Sequence, residues 1–419
     1  MRSVVISGLG FCTCLGLEAS EVSDRLRTLQ HGFQPYAEGF AGDAPVKVAA
    51  PVPGFDVSSD DPEDWTYPAG PRFRIDQYRC LAPNVLYAVH AMERALADAG
   101  LEASEVSDPR TGLYTASAGS AKMNHYHLDR LIQQGPSRAK AMGMVSSIAG
   151  TLNFNLVARY HIRGASAGFV SACASSAHAL GMAYEEIASG RQDRMLVVGA
   201  EDFTPETVLP FAGMRVLSTS ADPDRASRPF DRARDGFVPT GGAVVLVLEA
   251  EDVARSRGAR PRAELAGWGQ ASDGHHVVIP EPAGDGLRRA MELALERARI
   301  APGEVNYLNA HATSTPMGDV AECIAIKAVF GTRDDLAISS TKALTGHALS
   351  LSGAMEAAFC TLAVDEGFIP GAAHLENPDP AAEGLFLPRE SLHEQPGIVL
   401  SNSSGFGGAN VVLVLRAIA

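Results

Sequence analysis

The chain has 419 residues, 46% hydrophobic and 20% charged, and a formal net charge of -14. That length buries a sizeable core and suits two domains or one large two-part unit. The acidic balance argues against general nucleic-acid binding, and no apolar run nears the ~20 residues of a membrane span.

"MRSVVISGLGFC" opens with a Gly-containing strand at 3–10. It lacks the small-residue cleavage site of a signal peptide. The 6 cysteines, at 12, 14, 80, 173, 323 and 360, are scattered. That scatter predicts reduced thiols and a cytoplasmic setting rather than a disulfide framework. The regions 31–72 and 118–165 read as insertions. "LYAVHAMERALADAG" (86–100) has helical spacing and a glycine stop. "DRMLVVGAED" (193–202) and "GGAVVLVLEA" (241–250) are near-continuous apolar strands, as in a sheet covered on both faces.

The theme then repeats. "PRAELAGWG" (261–269) resembles the opening strand and also ends in Gly-x-Gly. Helices at 285–299, 317–330 and 350–366 alternate with strands at 305–311 and 336–340, and strands at 397–402 and 410–416 close the chain. This alternation predicts an α/β fold of two related halves, 1–250 and 251–419. Cys173 then follows the third core strand of the first half, and "STKALTGH" (340–347) the third of the second. Pseudo-symmetry would bring those strand ends together at one site.

Cys173 sits where a strand runs into a helix, "FVSACASSAHALG". Partial positive charge at a helix N-terminus favours a thiolate, while a buried structural cysteine is the commoner case. His311 in "NAHATSTPMGD" and His347 in "STKALTGHALS" follow other core strands, and Lys342 precedes His347 in the same loop. Strand-end loops are where α/β sheets hold catalytic groups. One thiol and two imidazoles suit acyl transfer with stabilisation of an enolate or oxyanion. "SNSSGFGGAN" (401–410) supplies glycines around Phe406 that let backbone N–H groups point into such a site.

Together, "SACASSAHALG", "HATSTPMGD", "SSTKALTGH" and "SNSSGFGGAN" resemble the elongating β-ketoacyl-acyl-carrier-protein synthases, nearest to the bacterial type I condensing enzyme. "SRPFDRARDGFVPTGGAVVLVLE" and "GPSRAKAMG" extend the resemblance over nearly the whole chain. It implies the thiolase fold, a five-layer αβαβα sandwich, and a homodimer. It implies a decarboxylating Claisen condensation with malonyl-acyl carrier protein, needing no metal or redox cofactor. Cys173 would carry the acyl chain, and His311 and His347 would bind the malonyl thioester carbonyl. Lys342 would orient the site and tune its charge, with Glu356 as the buried acidic partner, and Thr313 and Thr315 would hold the pantetheine arm. The N–H groups of Cys173 and Phe406 would form the oxyanion hole, with Phe406 as gate. Met142 and Met144 would line or gate the acyl pocket. Ala312 replaces the usual glycine, and Ser350, Leu351 and Ser352 stand where small apolar residues are usual. These departures open a specialised polyene or polyketide pathway. There the chain would be the active half of a heterodimer with a chain-length factor; a non-catalytic partner subunit and a degradative thiolase fit the Cys-His-His set less well.

Other signals carry less. The Gly-x-Gly of "SGLGFCTCLG" lacks the third glycine of a dinucleotide fingerprint. Cys12 and Cys14 have no second pair at zinc spacing. The histidines of "HYH" (125–127) and His275-His276 read as surface or loop residues without nearby carboxylates, and His178 as packing. A carrier protein is itself acidic, so docking calls for a local basic patch. Arg72, Arg74, Arg79, Arg138 and Lys140 are the candidates, with Asp76 weakening the group.

Overall fold

The computed structural model describes residues 1–36, 46–138 and 140–418. Ten strands form one hydrogen-bonded sheet. They are β1 Val4–Cys12, β2 Thr111–Ala116, β3 Ser166–Phe169, β4 Arg194–Glu201, β5 Gly242–Ala250, β6 Ala263–Ser272, β7 Tyr307–Asn309, β8 Ala337–Ser339, β9 Ile398–Gly405 and β10 Ala409–Arg416. Their spatial order is β8-β7-β9-β10-β6-β1-β5-β4-β2-β3. At the joint, β1 and β6 share only the pairs Val5–Glu264 and Ile6–Ala263. Outward from it, each side runs through its first, fifth, fourth, second and third strand. The two outermost pairings on each side are parallel and the inner ones antiparallel.

Three apolar cores separate the layers. The helices used here are α1 Pro83–Asp98, α2 Ala121–Gln134, α3 Ser175–Ala188, α4 Asp285–Ala298, α5 Pro316–Phe330 and α6 Ser352–Glu366. α3 and α6 lie in the central core, against the inner faces of both sheet halves. α1 covers one outer face and α4 with α5 the other. Strand periodicity distributes the side chains. Val244, Leu246 and Leu248 enter the central core, while Ala243, Val245 and Val247 enter an outer one. Val411, Leu413 and Leu415 point inward and Val412 and Val414 outward. This is why these strands read as continuous apolar runs. The result is the αβαβα sandwich of the thiolase fold. Among the described residues, no helix is long and apolar enough to cross a membrane.

The two Gly-x-Gly segments have a packing role. A Cβ on Gly10 would sit 1.9 Å from the Ala91 carbonyl oxygen, and one on Gly8 2.7 Å from the Ala99 Cβ. In the other half, a Cβ on Gly269 would sit 2.3 Å from the Ala290 carbonyl oxygen and one on Gly267 3.1 Å from the Ala298 Cβ. Each pair lets an outer helix lie directly on a strand, α1 on β1 and α4 on β6. The segment 31–72 contributes a short ribbon, Gln34–Pro35 with Val48–Ala49.

Replacing Gly10 or Gly269 with Ala should lower stability by about 2 kcal/mol or more, the scale of overpacking. Urea unfolding midpoints measure this. Wild-type midpoints for both variants would reject close helix–strand contact as the reason for these glycines.

Candidate active site

Three strand ends supply the chemistry. Cys173 follows β3, His311 follows β7, and Lys342 and His347 follow β8. The turn before Cys173 is strained, because Ala172 has φ 51°, in the left-handed region. Ser175 Oγ holds it, accepting from the Ser171 N–H at 2.8 Å and donating to the Ala172 carbonyl at 2.6 Å. His347 is set from outside its loop: its N–H donates to the Val238 carbonyl at 2.8 Å, and Phe237 meets its ring edge-on at 5.2 Å.

Cys173 Sγ lies 3.0 Å from His347 Nε2. The rings of His311 and His347 are 5.3 Å apart at 85°. Ligand atoms of Cys173, His311 and His347 all fall within 4.8 Å of one another. On its other side, His347 Nδ1 is 3.1 Å from Ser352 Oγ, whereas His311 Nδ1 is buried without a partner among the described residues.

Burial governs the charge states. It pushes the Cys173 thiol up to about 12, against the downward pull of Lys342. A thiolate favoured by the helix terminus is therefore not the resting state. Cys173 precedes Ala174, the N-cap residue of α3, and desolvation outweighs the field there. Burial, aided by Lys342, holds His311 and His347 well below the usual imidazole range. Both rings are neutral near pH 7. Lys342 itself bonds Glu356 in the interior, and burial raises that carboxyl to about 7 while Lys342 opposes the rise.

Several supporting residues escaped the reading of the sequence. Glu322 on α5 is buried and accepts from the N–H groups of His311 at 2.9 Å and Ala312 at 2.7 Å. Asn402 on β9 donates to the same carboxylate at 2.9 Å. A glutamate inside the apolar run "VAECIAI" was the available signal. Ser340 Oγ donates to the Ala312 carbonyl at 2.7 Å. A Cβ on Gly405 would lie 3.0 Å from the Cys173 nitrogen, so only glycine lets the turn carrying Phe406 approach the nucleophile's backbone.

A cavity of about 400 Å³ opens onto this centre, lined by Cys173, His311, His347, Thr313, Thr315 and Phe406, with Phe211, Val278, Ile279 and Met317. The hydroxyls of Thr313 and Thr315 are 3.1 Å apart. The Phe406 ring is 6.4 Å from Phe211 and half-exposed. Met142 instead lines a second cavity of about 340 Å³, with Arg79 and Lys140. Met144 is 70% exposed, so neither methionine borders the Cys173 cavity. Of the basic candidates, Arg74 is clamped to Asp76 at 2.8 Å and Lys140 is 3.9 Å from Asp61. Arg72 is exposed, and the Arg138 side chain lies outside the described residues. His125 does have carboxylate neighbours, Asp129 at 3.4 Å and Glu206 at 3.8 Å, because α2 places Asp129 one turn on and the fold brings in Glu206. His178 does more than pack: it bridges Ser171 Oγ and Gln270 Oε1, each at 2.8 Å.

Comparison with known proteins agrees with this geometry. The family descriptions "Beta-ketoacyl synthase, N-terminal domain" and "Beta-ketoacyl synthase, C-terminal domain" match residues 1–254 and 262–376. The chain belongs to the β-ketoacyl synthase family. It is 39% identical over 429 residues to 3-oxoacyl-[acyl-carrier-protein] synthase 1 of Escherichia coli, covering 99% of each chain. It is 35% identical over 423 residues to synthase 2 of Coxiella burnetii, covering 100% of this chain and 99% of that one. A β-ketoacyl synthase from Burkholderia phymatum superposes with a TM-score of 0.90 at 35% identity over 100% of both chains. The ishigamide ketosynthase/chain length factor structure superposes with a TM-score of 0.89 at 27% identity, again over 100% of both. The β-ketoacyl synthase described here is thus a condensing acyltransferase.

In the free synthase, iodoacetamide alkylation of Cys173 should speed up roughly tenfold per pH unit from 7 to 10 with no plateau, since the thiol titrates at about 12. Peptide mass mapping of the alkylated residue measures it. A plateau near pH 8 would establish a resting thiolate.

Proposed function

We propose that Cys173 takes an acyl chain from acyl carrier protein and that the synthase extends it by two carbons from malonyl-acyl carrier protein. The convergence of Cys173, His311 and His347 within 4.8 Å at one cavity carries this reading. In the first step the thiol displaces the carrier thiol and becomes an acyl thioester. In the second, the malonyl thioester loses carbon dioxide, and the enolate carbon attacks the acyl carbonyl. Neutral His311 and His347 donate N–H bonds to the enolate oxygen. The N–H groups of Cys173 and Phe406 receive the oxyanion as the carbon–sulfur bond breaks and Cys173 regains a proton. The sequence is redox-neutral and balances without a cofactor beyond the carrier's phosphopantetheine, whose arm Thr313 and Thr315 would flank. Burial, aided by Lys342 in its bond to Glu356, keeps both imidazoles neutral.

We also take 1–250 and 251–419 as repeats of one unit, on the shared strand order and the paired Gly-x-Gly contacts. A homodimer in the cytoplasm is the working assembly. The edge strand β3 has alternating exposed positions, with exposed Val170 and Phe154 nearby in sequence, an edge suited to pairing with a second chain. The ishigamide structure, whose name pairs a ketosynthase with a chain length factor, supports a heterodimer as the second reading; native mass of the synthase with and without co-expressed neighbours separates the two. Carrier docking remains assigned to Arg72, Arg79, Arg138 and Lys140, with Arg74 weakened by Asp76.

Cys173→Ala should abolish the acyl adduct seen by intact mass after incubation with acyl carrier protein. An undiminished adduct would sink the assignment. His311→Ala should slow carbon dioxide release from the malonyl thioester about 100-fold or more, the scale of a lost oxyanion donor. Acylation should stay within a few-fold of wild type, because His311 makes no hydrogen bond to the thiol; equal losses in both steps would remove this division of roles.

A further inference from the structure

The two half-reactions ask opposite things of His347. Its Nε2 is 3.0 Å from Cys173 Sγ. Burial keeps that thiol protonated at rest. During acylation Nε2 must therefore be bare, to accept the thiol proton, and the neutral ring carries its hydrogen on Nδ1. During decarboxylation Nε2 must carry a hydrogen, to donate to the enolate oxygen, and Nδ1 is bare. A backbone N–H at Nδ1 would support only the second state, and a carbonyl only the first.

Ser352 Oγ stands 3.1 Å from Nδ1 in the buried interior. A hydroxyl both donates and accepts, so by rotating it completes either tautomer. Its place is rigid. Ser352 is the first residue of α6, and the next two residues are locked against α3. A Cβ on Gly353 would sit 2.7 Å from the Ala177 Cβ, and the Ala354 N–H donates to Ser176 Oγ at 2.9 Å. The contrast with His311 is direct, since its Nδ1 is buried without a partner among the described residues.

Resting on the reading of Cys173 and His347 given above, we propose that Ser352 is a positioning residue that hydrogen-bonds both neutral tautomers of His347 and so lets one imidazole serve both half-reactions. In acylation the Cys173 proton passes by way of Nε2 toward the carrier sulfur as the Cys173 sulfur attacks the thioester carbon, so the imidazolium that the site disfavours does not accumulate. The departing carrier thiolate takes that proton, and Ser352 Oγ accepts from Nδ1–H throughout. Between half-reactions the ring gives the Nδ1 proton to water and takes one at Nε2, with no net change. In decarboxylation Ser352 Oγ–H donates to Nδ1 while Nε2–H donates to the enolate oxygen. Ser352 itself neither gains nor loses a proton.

The test measures single-turnover acylation from acyl-carrier protein and carbon dioxide release from malonyl-carrier protein in four proteins: wild type, Ser352→Ala, His347→Ala and the double variant. Ser352→Ala should slow each step roughly tenfold, the worth of one neutral hydrogen bond, with KM for both carriers unchanged. In the His347→Ala background the same substitution should cost nothing further, because Ser352 acts only through that ring. Wild-type rates in Ser352→Ala, loss in one step only, or an equal loss that persists without His347 would each overturn the proposal. Should His347→Ala itself leave both rates intact, the underlying reading of the site fails instead.

Discussion

The site depends on how closely the two central helices approach. α3 leads away from Cys173 and α6 from His347, and they meet at their first turns, where Gly353 lies on Ala177. Any side chain at Gly353 would collide with the Ala177 backbone nitrogen at 2.6 Å. Ser176 Oγ takes the Ala354 N–H, so one helix satisfies an otherwise unpaired donor of the other. This contact sets the spacing between a nucleophile and an imidazole that are 174 positions apart in the chain. Burial at this point, aided by Lys342, disfavours imidazolium.

Burial between two sheet halves then decides the chemistry. A thiol, two imidazoles, an ammonium and a carboxylate share one dry interior. Desolvation pushes the thiol up, the imidazoles down and the Glu356 carboxyl up, and Lys342 opposes the rise at Glu356 through their ion pair. The centre is therefore kept neutral, with N–H groups ready to meet negative charge as it forms. Preorganised donors in a low-dielectric site need little rearrangement during the reaction. The apolar walls at Phe211, Val278, Ile279 and Met317 extend the same environment along the cavity.

Much of this was legible in the residues. Strands with side chains buried on both faces leave continuous apolar runs, and β4 and β5 stood out for that reason. Cys173, His311, His347 and Lys342 were legible because each lies in the segment that leaves the end of a sheet strand. Other parts were not. Glu322 sits mid-helix and reaches the His311 loop only through folding, and Ser352 looked like a mere departure from a small apolar position. The expected thiolate failed because helix-terminus polarity can be read locally, whereas desolvation depends on what the rest of the chain covers. Met142 and Met144 do not border the Cys173 cavity of the single chain, since Met142 lines a different cavity and Met144 is exposed, a placement that the local sequence leaves open.

By itself the sequence determined the alternation of elements, the glycines that admit close helix–strand contact, and which residue types stand at the strand ends. These are local properties, set by side-chain period and by the absence of a Cβ. Tertiary structure alone decided the protonation of Cys173, His311 and His347, the buried Glu322 that holds one histidine loop, and the hydroxyl behind the other histidine. Each depends on distance and burial between segments far apart in the chain, and those exist only once the two halves have closed over α3 and α6.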